Sequence, residues 1–301
     1  DSGSFAVDFA MTDFYPWNFL GLSEDLSDYG SSKVVVLPIP YDATVSYGDG
    51  ARNGPRAIIS ASRQVETYDN DFGNEPCQVG IATTGELERE SSGPEAMMIK
   101  IEKAASEIID DGKFLLTLGG EHSITSPLVK VYKDKFPDLS VLQIDAHTDL
   151  REEYQGSRYS HACVMSRVGE ICEFVSVGIR GFCNSENERK AIRDGRIIES
   201  KVFHKNPDAV SLILSLLTDR VYITFDLDGF DPSVMPAVGT PEPGGLLWEE
   251  AIELIMAVGR SKDIVGCDVV ELAPIPGMIY PDFTAARLAY KLIGSAFSGR
   301  E

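Results

Sequence analysis

The stretch EAMMIKIEKAASEIIDDGKFLLTLGGEHS (95–123) decides the fold class. Its first part spaces apolar residues three and four apart and stops at Gly112, the pattern of an amphipathic helix with a glycine end. The run FLLTL (114–118) is apolar throughout instead of alternating, which predicts a strand buried on both faces. Gly119 and Gly120 then permit a tight turn and deliver His122 to the carboxyl end of that strand.

The same alternation recurs outward from this unit. Strand-like runs lie at VVVLPI (34–39), QVGIA (78–82), SVLQI (140–144), FVSVGI (174–179), VYITFDL (221–227) and IVGCDVV (264–270), with a weaker one at RIIESKVF (196–203). Helical spacing predicts SLILSLLTDR (211–220), WEEAIELIMAVGR (248–260) and DFTAARLAYKLIGSAFSG (282–299). Strands alternating with helices argue for a doubly wound α/β fold whose mostly parallel sheet has about eight strands. The chain is read as one domain over 31–301. Residues 1–30, acidic and aromatic without a period, are expected to form an N-terminal arm across the body or a neighbouring subunit.

The 301 residues hold 27 Lys+Arg and 47 Asp+Glu, a formal charge of −20. Such an excess repels nucleic-acid backbones and anionic membranes and favours cationic partners, either metal ions or basic small molecules. No run approaches the ~20 apolar residues of a membrane span, and the opening residues lack a basic start followed by an apolar run. Five scattered cysteines with no CxxC pair fit reduced thiols and a cytoplasmic setting. Neither GxGxxG after a strand nor GxxxxGK[ST] occurs, which argues against nucleotide binding.

Sites in such sheets gather where strands end, and three runs end in ionisable residues, a lone histidine after the first and a cluster after each of the other two. His122 follows FLLTLGGE, Asp145, His147 and Asp149 follow SVLQI, and Asp226 and Asp228 follow VYITF. Strand residues two apart share a face, so each cluster converges. Buried carboxylates in this number need a compensator, and divalent cations are the natural one. Two histidines and four aspartates are too many for one four-coordinate zinc. They suit two cations sharing carboxylates, and an oxygen-rich ligand set leans toward Mn²⁺, with Ni²⁺, Fe²⁺ or Co²⁺ as alternatives. Paired metals commonly lie ~3.5–4 Å apart and acidify a bridging water, which is a hydrolase design. Asp231, before Pro232, is expected to set a turn.

With these residues in view, the sequence resembles the ureohydrolase family of arginases and agmatinases. The matching segments are PIPYDATVSYGDGARNGPRAI (38–58), GGEHSIT (119–125), IDAHTDLR (144–151), YSHA (159–162), TFDLDGFDPSVMPAVGTPEPGGL (224–246) and DVVELAP (268–274). The resemblance implies a three-layer α/β/α sandwich and a dinuclear manganese centre that hydrolyses guanidino compounds to urea and an amine. It implies His122, Asp145, Asp149 and Asp226 on one metal and Asp145, His147, Asp226 and Asp228 on the other. Glu271 is implied as guanidinium anchor, His161 as proton shuttle, Asp149 as proton relay and Thr240 as a lining residue of the guanidinium pocket. A homo-oligomer, trimer or hexamer, is also implied.

The segment after Asp149, LREEYQGSR, and the spelling GTPEPGGL are agmatinase-like, so agmatine, cleaved to putrescine and urea, is the expected substrate. Glu152 or Glu153 is expected to meet its distal ammonium, whereas Arg151 and Arg158 would suit a carboxylated tail. The alternatives are another ureohydrolase activity (guanidinobutyrase, guanidinopropionase, guanidine hydrolase, arginase or formimidoylglutamase) and a metal-binding regulatory oligomer without turnover.

Overall fold

The computed structural model describes residues 15–298. Eight strands, β1 (Val34–Ile39), β2 (Ile81–Thr83), β3 (Phe114–Gly119), β4 (Leu139–Ile144), β5 (Glu173–Ile179), β6 (Ile197–Glu199), β7 (Arg220–Asp226) and β8 (Asp263–Val270), form one sheet. Every pairing is parallel and the order is β2-β1-β3-β8-β7-β4-β5-β6. The helices are α1 (Glu24–Ser27), α2 (Gly54–Ser62), α3 (Pro94–Asp110), α4 (Thr125–Lys135), α5 (Val164–Gly169), α6 (Glu186–Arg193), α7 (Ser200–Phe203), α8 (Ala209–Leu216), α9 (Trp248–Ser261) and α10 (Tyr280–Phe297).

The period-2 geometry of the strands divides the core in two. On β1, Val34 and Val36 face a cluster built with α2, α9 and α10, while Val35, Leu37 and Ile39 face one built with α3, α4 and α5. Helices therefore cover both faces, giving a three-layer α/β/α sandwich. Strands buried on both sides have no polar face to alternate, which is why they read as unbroken apolar runs. Each fully buried Val, Leu or Ile contributes roughly 1.5–3 kcal/mol.

Several expectations shift in detail. QVGIA is split: Pro76–Val79 is a 3-10 turn, Gly80 takes φ +78°, and β2 starts at Ile81. RIIESKVF yields only the short β6 before the chain turns into α7. The helix expected over 211–220 runs from Ala209 to Leu216.

Of the expected arm, residues 1–14 lie outside the described residues. Residues 15–30 lie against the body: Phe19, Leu20 and Leu22 are buried in the α2-side core. There the Phe19 N–H donates to Thr83 Oγ1 (2.9 Å) and the Leu20 N–H to Ser62 Oγ (2.8 Å). Among the described residues no helix is long and apolar enough to cross a membrane.

Candidate metal centre and active site

Strands β3, β8, β7 and β4 are neighbours in the sheet although dispersed in the chain, so their carboxyl ends meet at one place. His122 follows β3, Asp145–Asp149 follow β4, Asp226 and Asp228 end and follow β7, and Glu271 follows β8. Two backbone positions show how tightly the strand ends are drawn together. A Cβ on Gly120 would lie 2.0 Å from the Tyr41 carbonyl oxygen, and one on Gly181 would lie 2.5 Å from His147 Cδ2. Asp149 and Glu271 take φ of +50° and +68°, left-handed conformations that cost non-glycine residues energy and persist where surrounding contacts impose them. For Asp149 those contacts are the Met165 and Ser166 N–H groups on its carbonyl; for Glu271, its N–H donates to the Gly120 carbonyl (2.7 Å).

The six residues converge in two groups. His122 Nδ1 lies 3.2 Å from one oxygen each of Asp145, Asp149 and Asp226. His147 Nδ1 lies 2.9 Å from Asp228 Oδ2 and 3.8 Å from Asp145 Oδ1. Asp145 belongs to both. A hydrogen-bonded chain orients His122: its Nε2 is 2.8 Å from Thr224 Oγ1, which donates to Asp268 Oδ1 (2.7 Å). Against the opposing effect of burial, the three carboxylates raise the His122 imidazole well above its ordinary value in the bare chain; in the neutral ring, with Nε2 donating, Nδ1 would offer its lone pair toward them. That Nδ1 is buried and has no well-directed hydrogen bond. A nitrogen lone pair aimed at a point where three carboxylate oxygens converge is a donor set for a cation, so these residues fit a divalent metal pair.

The side chains alone carry an electrostatic conflict. Burial, reinforced by Asp228 and Asp149, raises the Asp145 carboxyl to about 7. Burial, with Asp228 and Asp145, raises Asp226 well above the usual carboxylate range. Against the opposing effect of burial, the hydrogen bond and charge of Asp228 lift His147 to about 10, and Asp228 is correspondingly held below its ordinary value. Divalent cations would relieve the same repulsion.

The cluster opens into a cavity of about 350 Å³ whose wall includes His147, Asp149, Asp226, Asp228, His161, Thr240 and Glu271. Thr240 Oγ1 donates to Asp228 Oδ2 (3.3 Å). Glu271 Oε1 accepts the His122 N–H (2.7 Å), and burial, with the nearby Glu121, raises the Glu271 carboxyl well above its usual range. Burial pushes the His161 imidazole down. Arg151 reaches the cavity and stacks on Tyr154, 5.0 Å from the ring centroid.

Glu152, expected at the substrate's distal ammonium, is not brought to this cavity. Its carboxylate pairs with Arg158 (2.9 Å) and Arg167 (3.0 Å) on the other side of the loop, because two cations there outcompete open solvent. Arg158 is engaged in the same cluster, through Glu152 and Glu170. Asp231 sets a turn: it accepts from Ser233 N–H and Oγ–H and from the Gly244 and Gly245 N–H groups.

Sequence reading missed the supporting polar residues Thr44, Glu121, Thr224 and Asp268. Asp268 carried a usable signal, a carboxylate inside the apolar run IVGCDVV, where burial demands partners. It finds them in Thr224, Thr125 and Tyr222.

Comparison with known proteins shows the family. The profile of the Arginase family matches residues 32–297. The chain is 39% identical over 280 residues to the N(1)-aminopropylagmatine ureohydrolase of Synechocystis, covering 90% of this chain and 92% of the relative. It is 35% identical over 269 residues to the agmatinase of Pyrococcus horikoshii, covering 89% and 93%. The crystal structure of agmatine ureohydrolase of Thermoplasma volcanium superposes with a TM-score of 0.85 at 33% identity, covering 95% and 96%. The strand order, the converging strand ends and these likenesses together place the chain in the arginase family, as a hydrolase of guanidino compounds.

Proposed function

We propose that this enzyme hydrolyses agmatine to urea and putrescine. The observation carrying the reading is a cavity whose wall holds four of the six candidate metal ligands (His147, Asp149, Asp226 and Asp228), with His122 and Asp145 packed against them, together with a half-buried carboxylate at Glu271 and a half-buried imidazole at His161. His122, Asp145, Asp149 and Asp226 would hold one divalent cation, and Asp145, His147, Asp226 and Asp228 the other. When bound, such a pair supplies a strong nucleophile at neutral pH and Lewis acidity at the reacting carbon.

The protein's own groups do the rest. A guanidinium presents a planar fork of N–H donors, which a carboxylate accepts in pairs. Glu271 is fixed for this by its backbone bond to Gly120 and its side-chain bond to the His122 N–H. A bound guanidinium would supply the positive charge that favours ionised Glu271. Asp149 sits between the cluster and the cavity, where a carboxylate oxygen can take and relay a proton. The amine leaves only when protonated, and His161, held neutral near pH 7 by burial, exchanges that proton. Mn²⁺ is the proposed native metal, and a cytoplasmic homo-oligomer the proposed setting.

A second substrate, N(1)-aminopropylagmatine, is favoured by one observation: relatives bearing that name reach 39–40% identity, against 35% for the agmatinase of Pyrococcus horikoshii. Urea release from agmatine, N(1)-aminopropylagmatine, arginine and guanidinobutyrate, each with Mn²⁺ and with Ni²⁺, decides between them. Agmatine is expected to give the highest kcat/KM. A higher value for the aminopropyl compound moves the assignment to it. Formamide in place of urea from a formimino compound, with nothing from the four, overturns the reading.

A further inference from the structure

We propose that Glu121, acting through Thr44, is a positioning residue that selects which ring nitrogen of His161 carries the proton. The inference rests on the reading of His161 as the proton-exchanging group of the cavity.

Glu121 is fully buried in the turn after β3 and forms no ion pair among the described residues. Its carboxylate accepts three hydrogen bonds instead: from the Thr44 N–H (2.6 Å), the Thr44 hydroxyl (2.7 Å) and the Ser123 hydroxyl (2.6 Å). A carboxylate is an acceptor on all its lone pairs, so three converging donors match it. Two of the three come from one residue. Glu121 thus grips Thr44 by main chain and side chain at once, in a loop that no strand otherwise fixes.

The consequence passes through the hydroxyl. Thr44 has one O–H, and it is directed at Glu121 Oε1, so its oxygen can only accept from other neighbours. It accepts the His161 backbone N–H at 3.0 Å. It also lies 3.3 Å from His161 Nδ1. An oxygen whose proton is already committed can pair with that nitrogen only if the nitrogen is the donor. Nδ1 is then the protonated atom and Nε2 the basic one. Ser160 Oγ, 3.4 Å from Nδ1, is a free rotor that accepts as readily as it donates, so it does not oppose this assignment. Tyr154, edge-on with ring centroids 6.2 Å apart, limits the imidazole from another side. Without Glu121 the Thr44 hydroxyl is free to turn and donate to Nδ1, which would move the proton to Nε2. The design follows the general logic by which a buried acceptor sets a histidine tautomer, with a hydroxyl interposed.

The test compares Thr44→Val, Thr44→Ser, Glu121→Gln and His161→Asn in the metal-loaded enzyme. Thr44→Val and Glu121→Gln are expected to lower kcat on the best substrate about tenfold or more, with KM within threefold and metal content unchanged. Thr44→Ser, which keeps the hydroxyl, is expected to restore most of kcat. In the His161→Asn background, adding Thr44→Val is expected to cost no more than a further twofold. A multiplicative loss there, or a Thr44→Val loss that tracks metal loss, overturns the proposal. Selective ¹⁵N-histidine labelling of the Zn²⁺-loaded protein reads the tautomer without turnover; with four histidines, the His161→Asn variant identifies the signal. The expected result is Nδ1–H in the parent and a shift toward Nε2–H in Thr44→Val and Glu121→Gln. An Nε2–H parent, or no shift, overturns the proposal. This arm separates the two readings: a chain that releases no urea refutes the proposed function, while the spectrum still decides the role of Glu121.

Discussion

Asp145 is a residue on which the candidate centre depends heavily, since among the described residues its two oxygens reach both histidine-centred groups. Its two oxygens are held apart by different donors: Oδ1 accepts the His147 N–H (2.6 Å) and Oδ2 accepts Gln143 Nε2–H (2.6 Å). Each oxygen is thereby aimed at a different imidazole, His122 Nδ1 at 3.2 Å and His147 Nδ1 at 3.8 Å. Removing it takes one negative charge from two neighbouring sites at once. Asp145→Ala is therefore expected to lower occupancy of both metals and to reduce urea release by at least the ~10²-fold typical of lost catalytic groups. Metal analysis after gel filtration checks this. Two ions retained per chain in the variant would refute the shared-ligand assignment. Asp149 and Glu271 differ in kind, because their positive φ values store strain that only the folded strand ends can impose.

At the scale of elements, the loop from β7 to α9 shows how a turn residue supports the site without touching it. Asp231 ties Ser233 at one end to Gly244 and Gly245 at the other, and these bonds lower its carboxyl from 3.8 to about 2. A carboxyl depressed in the folded state adds stability above its unfolded pKa and loses it as pH falls toward the folded one. Allowing for partial exposure, Asp231→Asn should cost about 1–2 kcal/mol at pH 7. Urea denaturation should show the gap between parent and variant narrowing by roughly half between pH 6 and pH 3. A gap independent of pH would mean that the charge is not what matters.

This loop was legible in the sequence, as were the strands, because both announce themselves locally: Asp-Pro and paired glycines for the turn, unbroken apolar runs for strands buried on both faces. Helices α4 to α7 were not. Glu186–Arg193 is mostly charged and buries only Glu188 and Ala191, and Thr125–Lys135 opens through Pro127 and buries a short stripe of Leu128, Val129 and Tyr132, too brief to announce a helix by period. The candidate ligand cluster was legible because DAHTD and DLDGFD each carry several ionisable residues on one strand end. Glu121 and Thr44 were not, and Asp268 showed only that it needed partners, since which partners these are is decided by the sheet order β1-β3-β8-β7. Glu152 misled for the same reason: its cations, Arg158 and Arg167, are neighbours in space across the loop.

The whole molecule adds one long-range effect. A net charge of −20 surrounds a cavity that itself holds Asp149, Asp226, Asp228, Glu242 and Glu271, against a single arginine, Arg151, on its wall. Metal ions would neutralise the cluster but leave Glu242 and the outer surface negative. Clefts of one sign focus field lines and raise the local concentration of oppositely charged ligands. The proposed substrate is a dication, so its capture should be steered, and steering weakens as the Debye length shrinks from about 30 Å at 0.01 M salt to about 8 Å at 0.15 M. The kcat/KM for agmatine is expected to fall several-fold across that range. Guanidinobutyrate, a zwitterion with the same guanidinium and no net charge, should change by less than twofold if it turns over at all. The contrast isolates electrostatics from any effect of salt on the metals, which would depress both substrates alike. Parallel decline would assign the salt effect to the metal centre; no decline for agmatine would show that the surface charge serves solubility and not capture.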